Sequence, residues 1–222
     1  MIPDGIIVVN KPGGITSHDV VDFVRRKLKT AKVGHAGTLD PIATGVLVLL
    51  IGKCTRLFDH FLTFDKEYLS TLTLGKRTDS ADYKGKVLEE KEFQHVNREA
   101  VEKVFASYLG EKDQVPPMFS AVKHKGKRLY VLARQGKEVE RKPRKVNIKE
   151  LKIVEYKLPH IQFYLRCSRG TYVRQLAEDV AKDLGSVGHL TQIERLSVGE
   201  FNIKNALSLD NVDESGIQPY IC

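Results

Sequence analysis

A chain of 222 residues, 41% hydrophobic and 29% charged, has the balance of an ordinary soluble globular protein long enough to bury a core. Its longest uninterrupted apolar run, Val46–Ile51, is too short for a transmembrane helix, and Met1–Pro12 lacks the charged start and apolar run of a secretory signal. The net charge is +8, and residues 123–145 hold ten Lys/Arg against Glu138 and Glu140; that one segment carries the whole excess and points to a polyanionic partner, nucleic acid first.

In chain order, Gly5–Val9 reads as a short strand and Lys11-Pro12-Gly13-Gly14 as a turn. Thr16 and Ser17 can cap a helix with Val20, Val21, Val24 and Leu28 on one face. Residues 34–41 look irregular, and Val46–Ile51 looks like a strand buried on both faces. Thr55–Phe64 has helical spacing, Tyr68–Leu74 alternates as a strand does, and Lys76–Gly85 is a polar loop. Asn97–Leu109 is an amphipathic helix stopped by Gly110. A long loop with two prolines follows from Gln114 and leads into a short helix ending near Gly136; loops of such length in a compact domain are commonly functional. Val146–Val154 and His160–Cys167 are alternating strands, Thr171–Leu184 a helix closed by Gly185, and Leu190–Phe201 a strand. The order is neither a βαβ repeat nor all-β, so the expected class is α+β, a mixed and mainly antiparallel central sheet flanked by helices. One catalytic domain is expected over 1–206, with a basic insertion at about 112–145, and residues 207–222 as a tail without a second domain. Cys54, Cys167 and Cys222 form no disulfide or zinc spacing and are expected as reduced thiols.

The stretch 34-GHAGTLDPIATGVLVLLIG-52 holds the first chemical candidate. Asp40 before Pro41 is ordinarily a turn former. Here the apolar strand that follows fixes the loop's exit, and Gly34, Gly37 and Gly45 let a backbone or ligand approach. A phosphate-cradling loop would need a Gly-Lys-Ser/Thr ending, which is absent. Arg174 is the second candidate. With Thr171 as N-cap it would be the third residue of its helix, where a cation opposes the macrodipole and is either solvated or held by an anion. Pairing with Asp40 would keep that acid ionised, and an ionised, desolvated carboxylate can be a nucleophile. Tyr68 is either a half-buried core aromatic or a surface for stacking a base. His35 is a turn or core histidine, or a residue that stacks on an unpaired RNA base. Asp79 and Asp82 fit no metal pattern and read as loop formers.

With these residues together, the chain resembles the bacterial tRNA pseudouridine synthase B family over nearly its whole length. The blocks are 8-VVNKPGGITSHDVV-21, 34-GHAGTLDPIATGVL-47, 66-KEYLSTLTLGKRTDSADYKG-85, 114-QVPPMFSAVKHKGKRLYVLARQG-136, 167-CSRGTYVRQLAEDVAKDLG-185 and 188-GHLTQIERLSVGEF-201. The resemblance implies an isomerase that converts the T-loop uridine at tRNA position 55 to pseudouridine. Asp40 would be the nucleophile, Tyr68 would stack on the target uracil, and Arg174 would salt-bridge Asp40. His35 would help hold the T-loop open, Lys11 with Pro12 would support the active-site loop, and Ile193 would line the base pocket. Lys123, Lys127, Arg128, Arg134 and Arg141 of the basic segment would contact the RNA.

No metal and no cofactor is implied, since the reaction adds and removes no atom. The uridine must be flipped out of its loop at a cost of a few kcal/mol, and phosphate contacts would offset that cost and make binding salt-dependent. The expected protein is a cytoplasmic monomer with the T-stem-loop of tRNA as partner and no membrane association. Arg169 stands where relatives often carry Lys. Family members commonly continue into a small PUA-type RNA-binding domain. A form stopping at Cys222 is expected to lose acceptor-stem affinity and full tRNA discrimination, with the chemistry unaffected. Two other readings are the catalytic subunit of a guide-RNA pseudouridylation complex and a tRNA-binding folding chaperone in which turnover is secondary.

Overall fold

A computed structural model describes residues 2–221; Cys222, one of the three expected thiols, lies outside them. The elements are β1 (Gly5–Lys11), α1 (Ser17–Lys27), β2 (Val33–Ala36), β3 (Thr44–Ile51), α2 (Phe58–Leu62) and β4 (Lys66–Leu74). They continue with β5 (Lys76–Thr78), β6 (Val87–Glu90), α3 (Arg98–Tyr108), β7 (Gly110–Gln114), β8 (Lys123–His124), β9 (Lys127–Arg128) and α4 (Leu129–Arg134). The last are β10 (Arg144–Lys157), β11 (His160–Cys167), α5 (Val173–Asp183), β12 (Gly188–Val198) and β13 (Phe201–Asn202). The class is α+β with a mixed, mainly antiparallel sheet, as the sequence implies. No helix among the described residues is long and apolar enough to cross a membrane.

Three local expectations are corrected. The start of the supposedly irregular stretch 34–41 belongs to β2 (Val33–Ala36), antiparallel to β3, with His35 opposite Leu49. The polar loop after Gly75 begins with β5, which pairs with β6 in a two-stranded ribbon. Helix α5 starts at Val173 with Tyr172 as N-cap, and Thr171 instead donates its hydroxyl to Ser168 O at 3.0 Å.

The chain divides into two compact units, residues 1–69 with 193–222, and residues 70–192. The boundaries fall inside β4 and β12. In the first unit the strand order is β1-β3-β12-β4, with β2 on β3 and β13 on β12. β1 and β3 are antiparallel from Gly5 opposite Ile51 to Lys11 opposite Gly45, whereas β12 runs parallel to β3 through Glu194–Thr44 and Arg195–Gly45. Ile6, Val8, Val46, Val48, Leu50, Phe61 and Phe201 form one core cluster. Ile7, Val9, Leu47 and Leu49, which alternate with them and so face the other way, are fully buried as well; β3 is covered on both faces.

Helix α1 carries a reciprocal cap: the Asp19 N–H donates to Thr16 Oγ1 (3.1 Å) and the Thr16 N–H to Asp19 Oδ2 (2.7 Å), an arrangement whose cap residue is worth about 1 kcal/mol. Its buried face is Ser17, Val20, Val21 and Val24. Residues 207–218 return to β1, where the Asn10 N–H donates to Leu207 O and the Gln218 N–H to Ile6 O, both at 2.8 Å.

In the second unit the order is β12-β4-β11-β10-β7. β11 and β7 are antiparallel to β10, and Phe105 of α3 meets Phe163 of β11 edge to face, with centroids 5.8 Å apart. Tyr108 of α3 donates its hydroxyl to Asp183 of α5 at 2.7 Å.

Candidate active site

Asp40 lies half-buried on the loop between β2 and β3, in the first unit. The loop is a fixed object. The Ala43 N–H donates to Asp40 O (3.0 Å), and the Gly14 N–H donates to Pro41 O (2.7 Å), joining the loop to the turn after β1. Ser17, at the start of α1, donates its hydroxyl to Leu39 O (3.0 Å) and accepts from the Leu39 N–H (2.8 Å). Gly45 follows at φ +100°, and a Cβ there would stand 2.2 Å from Arg195 O; only glycine lets β3 and β12 meet at this point.

Lys11 is completely buried at the end of β1, and its ammonium donates to Pro12 O (2.8 Å) and Ile15 O (2.7 Å). It holds the Pro-Gly-Gly turn that receives Pro41. Burial lowers its pKa to about 8, against the attraction of Asp40 and with the repulsion of Arg195. His35, half-buried on β2, is held below the ordinary histidine range by burial first and then by Arg195. It is therefore neutral at pH 7. Its Nδ1 is buried and has no hydrogen-bond partner among the described residues.

Tyr68 is 8% exposed on β4, where Lys66, Tyr68, Ser70, Leu72 and Leu74 alternate as the buried positions. Ile193 is buried on β12. In the strand order β3-β12-β4, three neighbouring strands thus supply the Asp40 loop, Ile193 and Tyr68. The sequence reading does not single out Arg195, which is 1% exposed and, with Lys11, one of the two largest fully buried side chains among the described residues. The signal was available: in a strand over 190–201, Ile193, Arg195 and Ser197 share a face, and an arginine on a buried face demands a partner.

Arg174 belongs to the second unit. It is the second residue of α5, 4% exposed, and it donates to Phe119 O at 2.8 Å and to Ser80 O. The helix-terminal cation is thus held and not solvated, although its place in the helix is one earlier than expected. Gln114 fixes the turn before it, donating Nε2 to Tyr172 O (3.1 Å) and accepting from the Tyr172 N–H (2.8 Å). Asp82 and Asp79 are loop formers, as expected. Asp82 accepts from the Ser80 hydroxyl and the Lys84 N–H (each 2.9 Å), and Asp79 from the Lys86 N–H (3.0 Å).

The basic segment, also in the second unit, is a β8–β9 hairpin turned on Lys125 and Gly126, both at positive φ, followed by α4. Lys123, Lys127, Arg128 and Arg134 are exposed. The guanidinium carbons of Arg128 and Arg134 lie 6.0 and 5.4 Å from the Tyr130 ring centroid. Arg141 is less available: it donates to Pro116 O (3.2 Å) and pairs with Glu138 (3.0 Å). Lys145 is flanked by Glu111 (3.2 Å) and Asp113 (3.6 Å).

A chain in the crystal structure of a Cbf5–Nop10–Gar1 complex superposes with a TM-score of 0.75 at 26% identity, covering 97% of this chain and 60% of that one. Residues 25–173 match the model described as the TruB family pseudouridylate synthase N-terminal domain, and the chain belongs to that family. Among its relatives are the tRNA pseudouridine synthase B of Geotalea uraniireducens, 50% identical over 208 residues, and that of Clostridium tetani, 44% identical over 218. These alignments take in 94% and 98% of this chain and 67% and 75% of the relatives' own lengths.

Proposed function

We propose that the chain converts a tRNA uridine to pseudouridine, acting on the T-loop at position 55, with Asp40 as the nucleophile. It is an isomerase. The N1–C1′ bond of the nucleotide breaks, the base turns, and a C5–C1′ bond forms while C5 gives up its proton and N1 gains one. One nucleophile that forms and releases an adduct with the base or the sugar suffices. The observation that carries this reading is the seating of Asp40: its loop is tied by backbone and side-chain bonds on both sides of the residue, and the buried Lys11 ammonium lies within its field. Such preorganisation is what an attacking carboxylate requires.

Tyr68 serves as the stacking surface for the flipped uracil and as a candidate acceptor of the C5 proton, Ile193 as an apolar wall, and neutral His35 as a plane against an unpaired base. Arg174 is assigned from the family as the counter-charge of Asp40. The exposed cations of the β8–β9 hairpin and α4 bind phosphates of the T-stem-loop, which offsets the cost of flipping. The protein works as a cytoplasmic monomer. Identities of 50% and 44% to the tRNA enzymes, against 26% to the chain of the Cbf5–Nop10–Gar1 complex, favour the stand-alone enzyme over a guide-RNA subunit.

The test is tritium release from C5-labelled uridine in a T-stem-loop RNA, compared with the same RNA carrying cytidine at position 55 and label only at other uridines. Release from the first alone is expected. Equal release from both would overturn the positional assignment, and release from neither would overturn the activity.

A further inference from the structure

Two side chains from outside the Asp40 loop grip its backbone, and neither has a part in the chemistry above. Arg195 on β12 donates Nη2 to Gly37 O (3.1 Å) and Nε to Val46 O (2.7 Å). One guanidinium therefore closes the two ends of the segment that carries Asp40. Ser17 on α1 holds both the N–H and the carbonyl of Leu39, the residue before Asp40, at 2.8 and 3.0 Å. The two clasps approach from different elements, a strand and a helix.

A buried guanidinium is expensive to desolvate, and an apolar residue of similar size would fill the same strand position at lower cost. Arginine offers what such a residue cannot, a planar fork whose N–H groups point in fixed and different directions. Its charge also reaches the site, because it is among the causes that lower the pKa of both Lys11 and His35. A loop held at Gly37, Leu39, Pro41 and Val46 leaves the carboxylate little freedom to wander, and misplacement by 1 Å can cost about a hundredfold in rate.

We propose that Arg195 and Ser17 are positioning residues for Asp40, fixing its loop so that the carboxylate meets the substrate without reorganisation. The inference rests on the reading of Asp40 as nucleophile. The experiment uses the full chain with Arg195→Lys, Arg195→Met, Ser17→Ala and Asp40→Asn. Single-turnover pseudouridine formation, affinity for a T-stem-loop RNA and thermal melting are measured for each.

Ser17→Ala and Arg195→Lys are expected to fold, to bind RNA within about twofold of wild type, and to lose about ten- to a hundredfold in single-turnover rate. Lysine, which can reach one carbonyl, should recover part of what methionine loses. Wild-type rates in Ser17→Ala and Arg195→Lys would overturn the proposal, as would a loss confined to RNA affinity or matching the unfolded fraction. If neither Arg195 variant folds, Ser17→Ala decides. Turnover by Asp40→Asn would overturn the nucleophile reading itself. An inactive Asp40→Asn beside a wild-type rate in Ser17→Ala would overturn only the positioning.

Discussion

Replacing Lys11 by Met removes a buried ammonium whose pKa falls from 10.5 to about 8 through burial. The unfolded chain keeps that proton up to about pH 10.5, whereas the folded chain releases it near 8. Between the two the unfolded state binds more protons, so raising the pH favours the fold. Below pH 8 both states are protonated and the burial penalty is fully present. At about 1.4 kcal/mol per pH decade, the stability of wild type relative to Lys11→Met should rise by about 3 kcal/mol across this window, most of it gained by pH 10. The neutral amine still has two N–H donors for Pro12 O and Ile15 O, so the turn is kept. Urea unfolding of both proteins from pH 7 to 10 measures the difference, which cancels titration common to the two. A difference that stays flat, or falls as pH rises, would refute the buried, low-pKa lysine.

Other expectations concern stacking, electrostatics and register. Tyr68→Leu should weaken productive substrate binding by about 1–3 kcal/mol, read as KM or RNA affinity, whereas Tyr68→Phe keeps the ring and should lose turnover only if the hydroxyl moves the C5 proton. Lys127→Ala should lower the slope of log affinity against log salt by about 1; Lys145→Ala, whose charge is already met by Glu111 and Asp113, should change it much less, and equal changes would contradict the division. Gly45→Ala places a Cβ 2.2 Å from Arg195 O at φ +100°. It should cost about 1–3 kcal/mol for the backbone conformation alone and more for the overlap, and an unchanged urea midpoint would contradict the β3–β12 register.

Where local chemistry determines structure, the sequence could be read. Thr16 and Asp19 specify the start of α1, the 2.0-residue alternation specifies β4, and the apolar run of β3 announces burial on both faces. What escaped depends on partners far away in the chain. β2 is too short and glycine-rich to declare itself, and exists because Leu49 and Leu50 offer it a ladder. Thr171 has the chemistry of a cap, but Gln114 claims the Tyr172 backbone, and the N-cap of α5 moves one residue on, to Tyr172. The return of residues 207–218 along β1, with Val212 and Ile217 buried, leaves no local trace.

The site divides in the same way. Asp40, Tyr68 and His35 can be nominated from their residue types and local setting, whereas Lys11 comes forward only with the family resemblance. Arg195 sat within a recognised block, yet its partners Gly37 O and Val46 O are backbone atoms about 150 residues upstream, which a side-chain inventory does not see.

Asp40 as the nucleophile is tested most directly by single-turnover tritium release from C5-labelled T-stem-loop RNA, with wild type and Asp40→Asn at equal saturation by the RNA. Carboxamide for carboxylate changes the loop's shape very little, so RNA affinity should stay within a few fold while release falls to background. Release by Asp40→Asn at a rate near that of wild type would contradict the account.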